Sequence, residues 1–231
     1  MPLIQCELNG PIATITLQRP AKANAYTTEM LQELSSIWTD VESKARIAVI
    51  SGNSTHFCAG ADLSEMKSKT AEDAVQLHSQ FVFHQIACSK TLSIAAIDGP
   101  ALGGGFELAL ACDLRVASSK AWFALPELRH GLIPAAGGCT RLQNILGSSI
   151  AKGVILGNLR ISAEQALQWG LVHKMDTDPL RVAISWAQDL AERPQLAQQL
   201  AKQVLDDPSL EKERLAQAIL YERRAKEPFS G

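Results

Sequence analysis

Apolar and polar positions recur along this chain with two different periods, and the switches between them mark out its elements. Ile12, Thr14 and Thr16 against Ala13, Ile15 and Leu17 form a short β-rich stretch, closed by Arg19-Pro20 because proline cannot donate to a strand ladder. A strand over 11–18 is predicted. From Thr28 onward Met30, Leu31, Leu34, Ile37, Trp38 and Val41 recur at helical spacing, with Glu29, Glu33, Asp40 and Lys44 on the other faces. That spacing predicts an amphipathic helix of about four turns. Ile47 to Ile50 and Leu92 to Ile97 are compact apolar runs ended by glycine or Asp-Gly, as strands buried on both faces require. Between them 72–88 reads as one helix, and a further strand is expected at 114–117, after a short helix that starts in the glycines at 103–105.

Beyond Pro134 the pattern turns helical, with segments near 138–146, 149–156, 162–169, 180–192, 194–205 and 210–224 and one short strand at 171–174. Ser162 before Ala163-Glu164-Gln165 is an N-cap with Gln165 at the capping-box position. There is no low-complexity tract and no clean sequence repeat, although the successive strand-loop-helix units suit structural repeats.

Composition narrows the function classes. A chain of 231 residues with 46% hydrophobic and 20% charged residues buries a substantial core and is not disordered. A formal charge of −2 gives no footprint for nucleic acid or an anionic membrane. The helix at 28–44 carries Glu29, Glu33, Asp40 and Glu42 against Lys44 alone, which opposes RNA binding. No apolar run approaches the ~20 residues that span a bilayer, and no basic-then-apolar leader is present, so a cytoplasmic protein is expected. Cys6, Cys58, Cys88, Cys112 and Cys139 include no CxxC pair and read as reduced core thiols; Cys58, in a glycine-containing loop, has no base beside it in sequence. The five histidines form no HExxH pattern, so no metal site is expected.

Two loops that end apolar strands carry the candidate chemistry. One is His56-Phe-Cys-Ala-Gly-Ala-Asp62; the other runs from Asp98 through Gly103-Gly-Gly-Phe-Glu107 to Asp113. Three successive glycines cost backbone entropy and supply no packing, so they suit a place where a ligand or another backbone comes very close. The helix that starts there presents unpaired N–H groups and a partial positive charge to an anion, or to a carbonyl becoming one. With Gly104 in the first turn, Glu107 lies about 4.5 Å along the axis on nearly the same face. A Glu in that turn is equally a dipole partner or capping-box residue. Glu127 falls on a loop, after Pro126 and before Gly131, where a solvated surface acid is the plain alternative; Arg129 and His130 read the same way. Nucleotide-binding glycine spacings and the GxSxG nucleophile elbow are both absent.

With these motifs in view, the sequence resembles the crotonase superfamily and, within it, the enoyl-CoA hydratases. The resemblance runs through Arg19-Pro-Ala-Lys-Ala-Asn-Ala25, Phe57-Cys-Ala-Gly-Ala-Asp-Leu63, Gly99-Pro-Ala-Leu-Gly-Gly-Gly-Phe-Glu107, Pro126-Glu127, Gly131-Leu-Ile-Pro134, Gly137-Gly138 and Ile161-Ser-Ala-Glu-Gln-Ala166. It implies an α/β fold, a ββα superhelix of stacked strand-strand-helix units over 1–190, with a helical C-terminal region at 191–231. It also implies that Ala61 and Gly104 supply two backbone N–H donors to a thioester oxygen, an oxyanion hole, and that Glu107 and Glu127 are the catalytic acids. Lys22, Ala23, Ala25, Ala59, Asp62, Leu63, Ser64 and Gly103, with Ala61 and Gly104, line the acyl-CoA site by the same likeness. The expected reaction is hydration of a 2-enoyl-CoA, with double-bond isomerisation as the alternative. No cofactor beyond the coenzyme A of the substrate is expected, and a homotrimer or dimer of trimers is. Two departures are visible: relatives usually continue past the equivalent of Phe229 with helical sequence that helps cover the coenzyme A, and Arg129-His130 stand where apolar residues are typical.

Overall fold

A computed structural model describes residues 2–53, 55–67 and 69–226. In chain order the elements are β1 (Ile4–Asn9), β2 (Ile12–Leu17), α1 (Thr28–Lys44), β3 (Ile47–Ser51), α2 (Leu63–Met66), α3 (Ala71–Val75), α4 (His78–Ala87), β4 (Leu92–Ile97), β5 (Ala101–Leu102) and α5 (Gly104–Ala111). They continue with β6 (Leu114–Ala117), β7 (Trp122–Ala124), α6 (Gly138–Ile155), β8 (Ile161–Ser162), α7 (Ala163–Gln168), β9 (Lys174–Met175), α8 (Pro179–Ala191), α9 (Gln195–Asp206) and α10 (Leu210–Lys226).

One six-stranded sheet runs in the order β1-β2-β3-β4-β6-β9, antiparallel only between β1 and β2. Its central parallel strands β3 and β4 are almost wholly apolar because each face is covered. Ala48, Ile50, Ala95, Ile97 and Ala117 point into the main core with Trp38 of α1 and Phe83 of α4. Their neighbours Ile47, Val49, Ile94, Ala96 and Val116 point the other way, against Ala183, Ala187, Leu190 and Ala191 of α8. A second sheet, β5-β7-β8, lies where the candidate loops meet. The expected α/β architecture with a helical C-terminal third is what the chain adopts.

Several local expectations are corrected. β1 was not anticipated, although Ile4, Cys6 and Leu8 alternate with Gln5, Glu7 and Asn9; only Ile4 on it is buried, as suits an edge strand. The single helix at 72–88 is two, because Leu77 leaves helical geometry (φ −61°, ψ 97°) to pack against the core, and α3 buries none of its residues. The two helices at 138–146 and 149–156 meet at Gly147, whose φ of 79° and ψ of 162° break the helix between them. The strand at 171–174 forms only at 174–175, since Leu171 and Val172 turn into the core. Gln165 and Ser162 form the capping box expected of them.

α5 is buried on every side, an apolar helix inside the protein rather than on it. Its carbonyl end is held by the buried Arg115, whose guanidinium donates to Cys112 O at 2.7 Å and Ala109 O at 3.2 Å. At its start, Gly105 presses directly on the loop before α2: a Cβ there would collide with Cys58 O and stand 2.6 Å from its carbonyl carbon. Neither backbone can yield without moving a strand. Gly105→Ala is expected to lower stability by about 3 kcal/mol, the upper range for overpacking a tight core; a urea midpoint unchanged from that of the wild type would show the contact to be soft.

Candidate active site

The loop 57–62 is an extended segment held on both edges by main chain. On one edge Cys58 N donates to Pro100 O and Leu102 N to Cys58 O, at 3.3 and 2.9 Å. On the other, Ala59 N donates to Ala23 O at 3.0 Å, Tyr26 N to Gly60 O at 2.8 Å and Asp62 N to Tyr26 O at 2.9 Å. Ala61 therefore sits between the two residues bonded to Tyr26, and strand alternation turns its own N–H away from Tyr26, toward the edge occupied by 100–104. Gly60, at φ 93°, brings that edge close: a Cβ on it would lie 3.2 Å from Gly104 N. The N–H groups of Ala61 and Gly104 donate to no acceptor among the described residues.

Two carboxyl groups flank this pair. Glu107, one turn into α5, is 3% exposed, and its Oε1 accepts from Gly138 N, at the start of α6, at 2.8 Å. Burial is the main cause that lifts its pKa to about 7; the Gly138 and Ala136 N–H groups and Arg141 pull down, and the nearby Glu127 pushes up. Glu127 stands in a 3₁₀ turn, Glu127–His130, that follows Pro126. Its Oε1 lies against Gly103, 3.0 Å from where a Cβ would be, while its buried Oε2 meets no hydrogen-bond partner. Burial raises this pKa as well. Arg129 and His130 are exposed, and Arg129 Nε reaches the Asn158 side-chain amide at 3.1 Å, so neither holds Glu127 ionised.

The remaining predicted residues divide between wall and rim. Ala23, Ala25, Ala59, Ala61, Gly103 and Gly104 are contiguous through the bonds just described, whereas Lys22, Leu63 and Ser64 are exposed. Asp62 is spent inside the chain: Oδ1 accepts from Ser64 Oγ at 2.6 Å and Ser64 N at 3.0 Å, and Oδ2 accepts from Arg19 at 3.0 Å. The Ser64 hydroxyl and amide, then Arg19, hold its carboxyl down at about 2. Asn24, fully buried at φ 54°, ties this segment to the loop, donating to His56 O and Phe57 O at 3.2 Å each. Sequence reasoning did not single out Tyr26, whose hydroxyl fills the space beside Gly104, nor Arg141 among the polar groups around Glu107. An aromatic residue among small ones gave no period to read.

A family model described as enoyl-CoA hydratase/isomerase matches residues 7–229. The chain belongs to that family. It is 37% identical over 203 residues to "Probable enoyl-CoA hydratase 2, mitochondrial" of Arabidopsis thaliana, covering 85% of this chain and 67% of that one. It is 38% identical over 200 residues to "2,3-dehydroadipyl-CoA hydratase" of Escherichia coli, covering 84% and 78%. The crystal structure of an enoyl-CoA hydratase from Bacillus anthracis superposes with a TM-score of 0.88 at 32% identity, over 95% of this chain and 90% of that one. Membership in an enzyme family acting on enoyl-CoA thioesters fits a site built from free amides and acids.

In this member of the hydratase/isomerase family the cysteines are only partly as expected. Cys58 and Cys112 are core thiols that burial pushes up to about 12, which removes Cys58 as a nucleophile. Cys6 and Cys88 are exposed, and Cys139 is half-buried. Among the described residues no helix is long and apolar enough to cross a membrane.

The Glu107 carboxyl ties the site to stability. Folded, it stays neutral up to about 7; unfolded, it ionises near the ordinary 4.5. The contribution is therefore whole below pH 4.5 and is lost as pH rises through 7. At ~1.4 kcal/mol per unit the loss is about 3 kcal/mol. Glu107→Gln, which keeps an acceptor for Gly138, is expected to melt higher than wild type at pH 8 and no higher at pH 4. Equal melting differences at both pH values would mean that Glu107 is not held neutral by the fold.

Proposed function

We propose that the chain is an enoyl-CoA hydratase that adds water across the double bond of a trans-2-enoyl-CoA to give the 3-hydroxyacyl-CoA. The observation that carries this reading is the pairing of the buried Glu107 carboxyl and the half-buried Glu127 carboxyl beside two unengaged main-chain amides. One ionised carboxylate takes a proton from water, the water oxygen bonds to C3, and the double-bond electrons move onto the thioester oxygen. The Ala61 and Gly104 amides receive that charge, each donor worth about 3 kcal/mol to an enolate. The other carboxyl, still protonated, gives its proton to C2 as the enolate collapses. One proton enters the pair and one leaves, so the pair ends with the count it began with. Two carboxyls raised by burial, Glu107 also by the nearby Glu127, suit this, since the reaction needs one protonated while the other is ionised.

The unpaired Oε2 of Glu127 supports a water held between the acids. Occupation of both acidic positions favours hydration over isomerisation, which one carboxylate accomplishes alone. On the family likeness the working assembly is a homotrimer or a dimer of trimers, with coenzyme A entering only as part of the substrate and no metal or redox cofactor.

Crotonyl-CoA should lose its conjugated absorbance in the presence of the purified protein. Glu107→Gln and Glu127→Gln should each lower kcat by about 10²-fold or more, the usual worth of a positioned acid or base, with KM little changed. As pH rises through about 7 the protonated form of Glu107 is lost, so kcat/KM should decline on the alkaline side. A wild-type protein inert on short, medium and long 2-enoyl-CoAs would end the hydratase reading. Conversion of a 3-enoyl-CoA with only one of the two variants impaired would establish the isomerase instead.

A further inference from the structure

Tyr26 touches both members of the amide pair, one through its main chain and one through its side chain. Its N–H and C=O bond to Gly60 and Asp62, at 2.8 and 2.9 Å, and so straddle Ala61. Its hydroxyl occupies the space that a side chain at Gly104 would need, and its Cε1 lies 2.7 Å from where that Cβ would stand. The same hydroxyl faces Ser79, a buried residue in the first turn of α4, closely enough for the serine to act on the phenol. Phe83, one turn further along α4, meets the tyrosine ring edge-on with centroids 5.8 Å apart and planes at 89°. The ring is thus clamped between α4 and the start of α5.

We propose, on the hydratase reading above, that Tyr26 is a positioning residue of the thioester-oxygen site, whose hydroxyl, anchored on Ser79, fixes the spacing between the Ala61 and Gly104 amides. Ala61 belongs to a loop and Gly104 to a helix; main-chain bonds join their segments at Cys58 and Leu102, and Tyr26 adds a second tie at the amides themselves. A rigid aromatic residue bonded to the loop through its main chain and seated on the helix glycine through its hydroxyl bears on the distance between those amides from the side opposite the backbone contact. The hydroxyl is the part in contact with both Gly104 and Ser79, so a phenylalanine would fill most of the volume and lose the anchor. Burial, and the charges of Glu107 and Glu127, drive the phenol pKa upward, which keeps this group neutral.

Tyr26→Phe removes the hydroxyl, and Ser79→Ala removes its anchor. Two readouts are taken: turnover of crotonyl-CoA, and the ultraviolet band of enolised acetoacetyl-CoA, which appears when the bound thioester oxygen is held as an anion. A shift of a few tenths of an ångström between donors should lower kcat about tenfold, given that a 1 Å misplacement costs about 10²-fold. KM should change less than about twofold, the enolate band should weaken in parallel, and the double variant should be no worse than either single one. Wild-type kcat and an undiminished enolate band in Tyr26→Phe, whatever its melting temperature, would reduce Tyr26 to core filling and overturn the proposal. Should Tyr26→Phe fail to fold, the same result in Ser79→Ala overturns it. If the wild type enolises acetoacetyl-CoA yet hydrates no enoyl-CoA, the hydratase reading falls while the enolate band still decides the role of Tyr26.

Discussion

The structure depends on one contact made by main chain alone, where the loop 57–62 lies against the segment 100–105 with no side chain between them. Gly60 meets Leu102 O and Gly104 N, and Gly105 meets the carbonyl of Cys58. Side chains at these positions would hold the two segments apart, and with them the amides of Ala61 and Gly104. The glycine triplet therefore has three separate causes. Gly103 adopts φ 50° and faces Glu127, Gly104 yields its space to Tyr26, and Gly105 yields to another backbone.

That contact gains its electrostatic meaning from α5. The helix directs its unpaired N–H groups at the site and buries its carbonyl end against Arg115, a cation at the terminus where the helix dipole favours one. Both ends are thereby used, one by chemistry and one by the fold. The same helix carries Glu107 on its first turn, so the Gly104 amide and the Glu107 carboxyl move as one rigid body. Glu127 arrives from a different part of the chain, through the short sheet of β5, β7 and β8 that sets the 3₁₀ turn beside Gly103.

How legible each part was in the sequence follows from how local its cause is. α1 announces itself by apolar residues at helical spacing, β3 and β4 by compact apolar runs closed by glycine or Asp-Gly, and α5 by the glycines at its start. Glu107 could be placed beside Gly104 for the same reason, since three residues of helix fix the geometry. Glu127 could not be distinguished from a surface acid by its own neighbours, because what buries it is the packing of a loop on Gly103. The break at Leu77 had no glycine or proline to signal it, and only the pull of the distant core explains it. Tyr26 was invisible on the same ground: its partners are at positions 60, 62, 79, 83 and 104, none within a helical turn or a strand repeat of it.

A site whose charge-receiving groups are main-chain amides separates two properties that side-chain sites combine. Substitution at Ala61 or Gly104 by any residue but proline changes packing and leaves an N–H in place, so on the proposed reading the capacity to hold an enolate belongs to the fold itself. The choice of reaction then rests on what surrounds the enolate. Two acids deliver water and a proton, one acid only moves a proton, and neither change disturbs the backbone contact that makes the enolate accessible. Family membership accordingly establishes the thioester chemistry more firmly than the particular product. In this chain the proposed choice of product rests on Glu107 and Glu127, one held by Gly138 and the other with a buried oxygen unpaired.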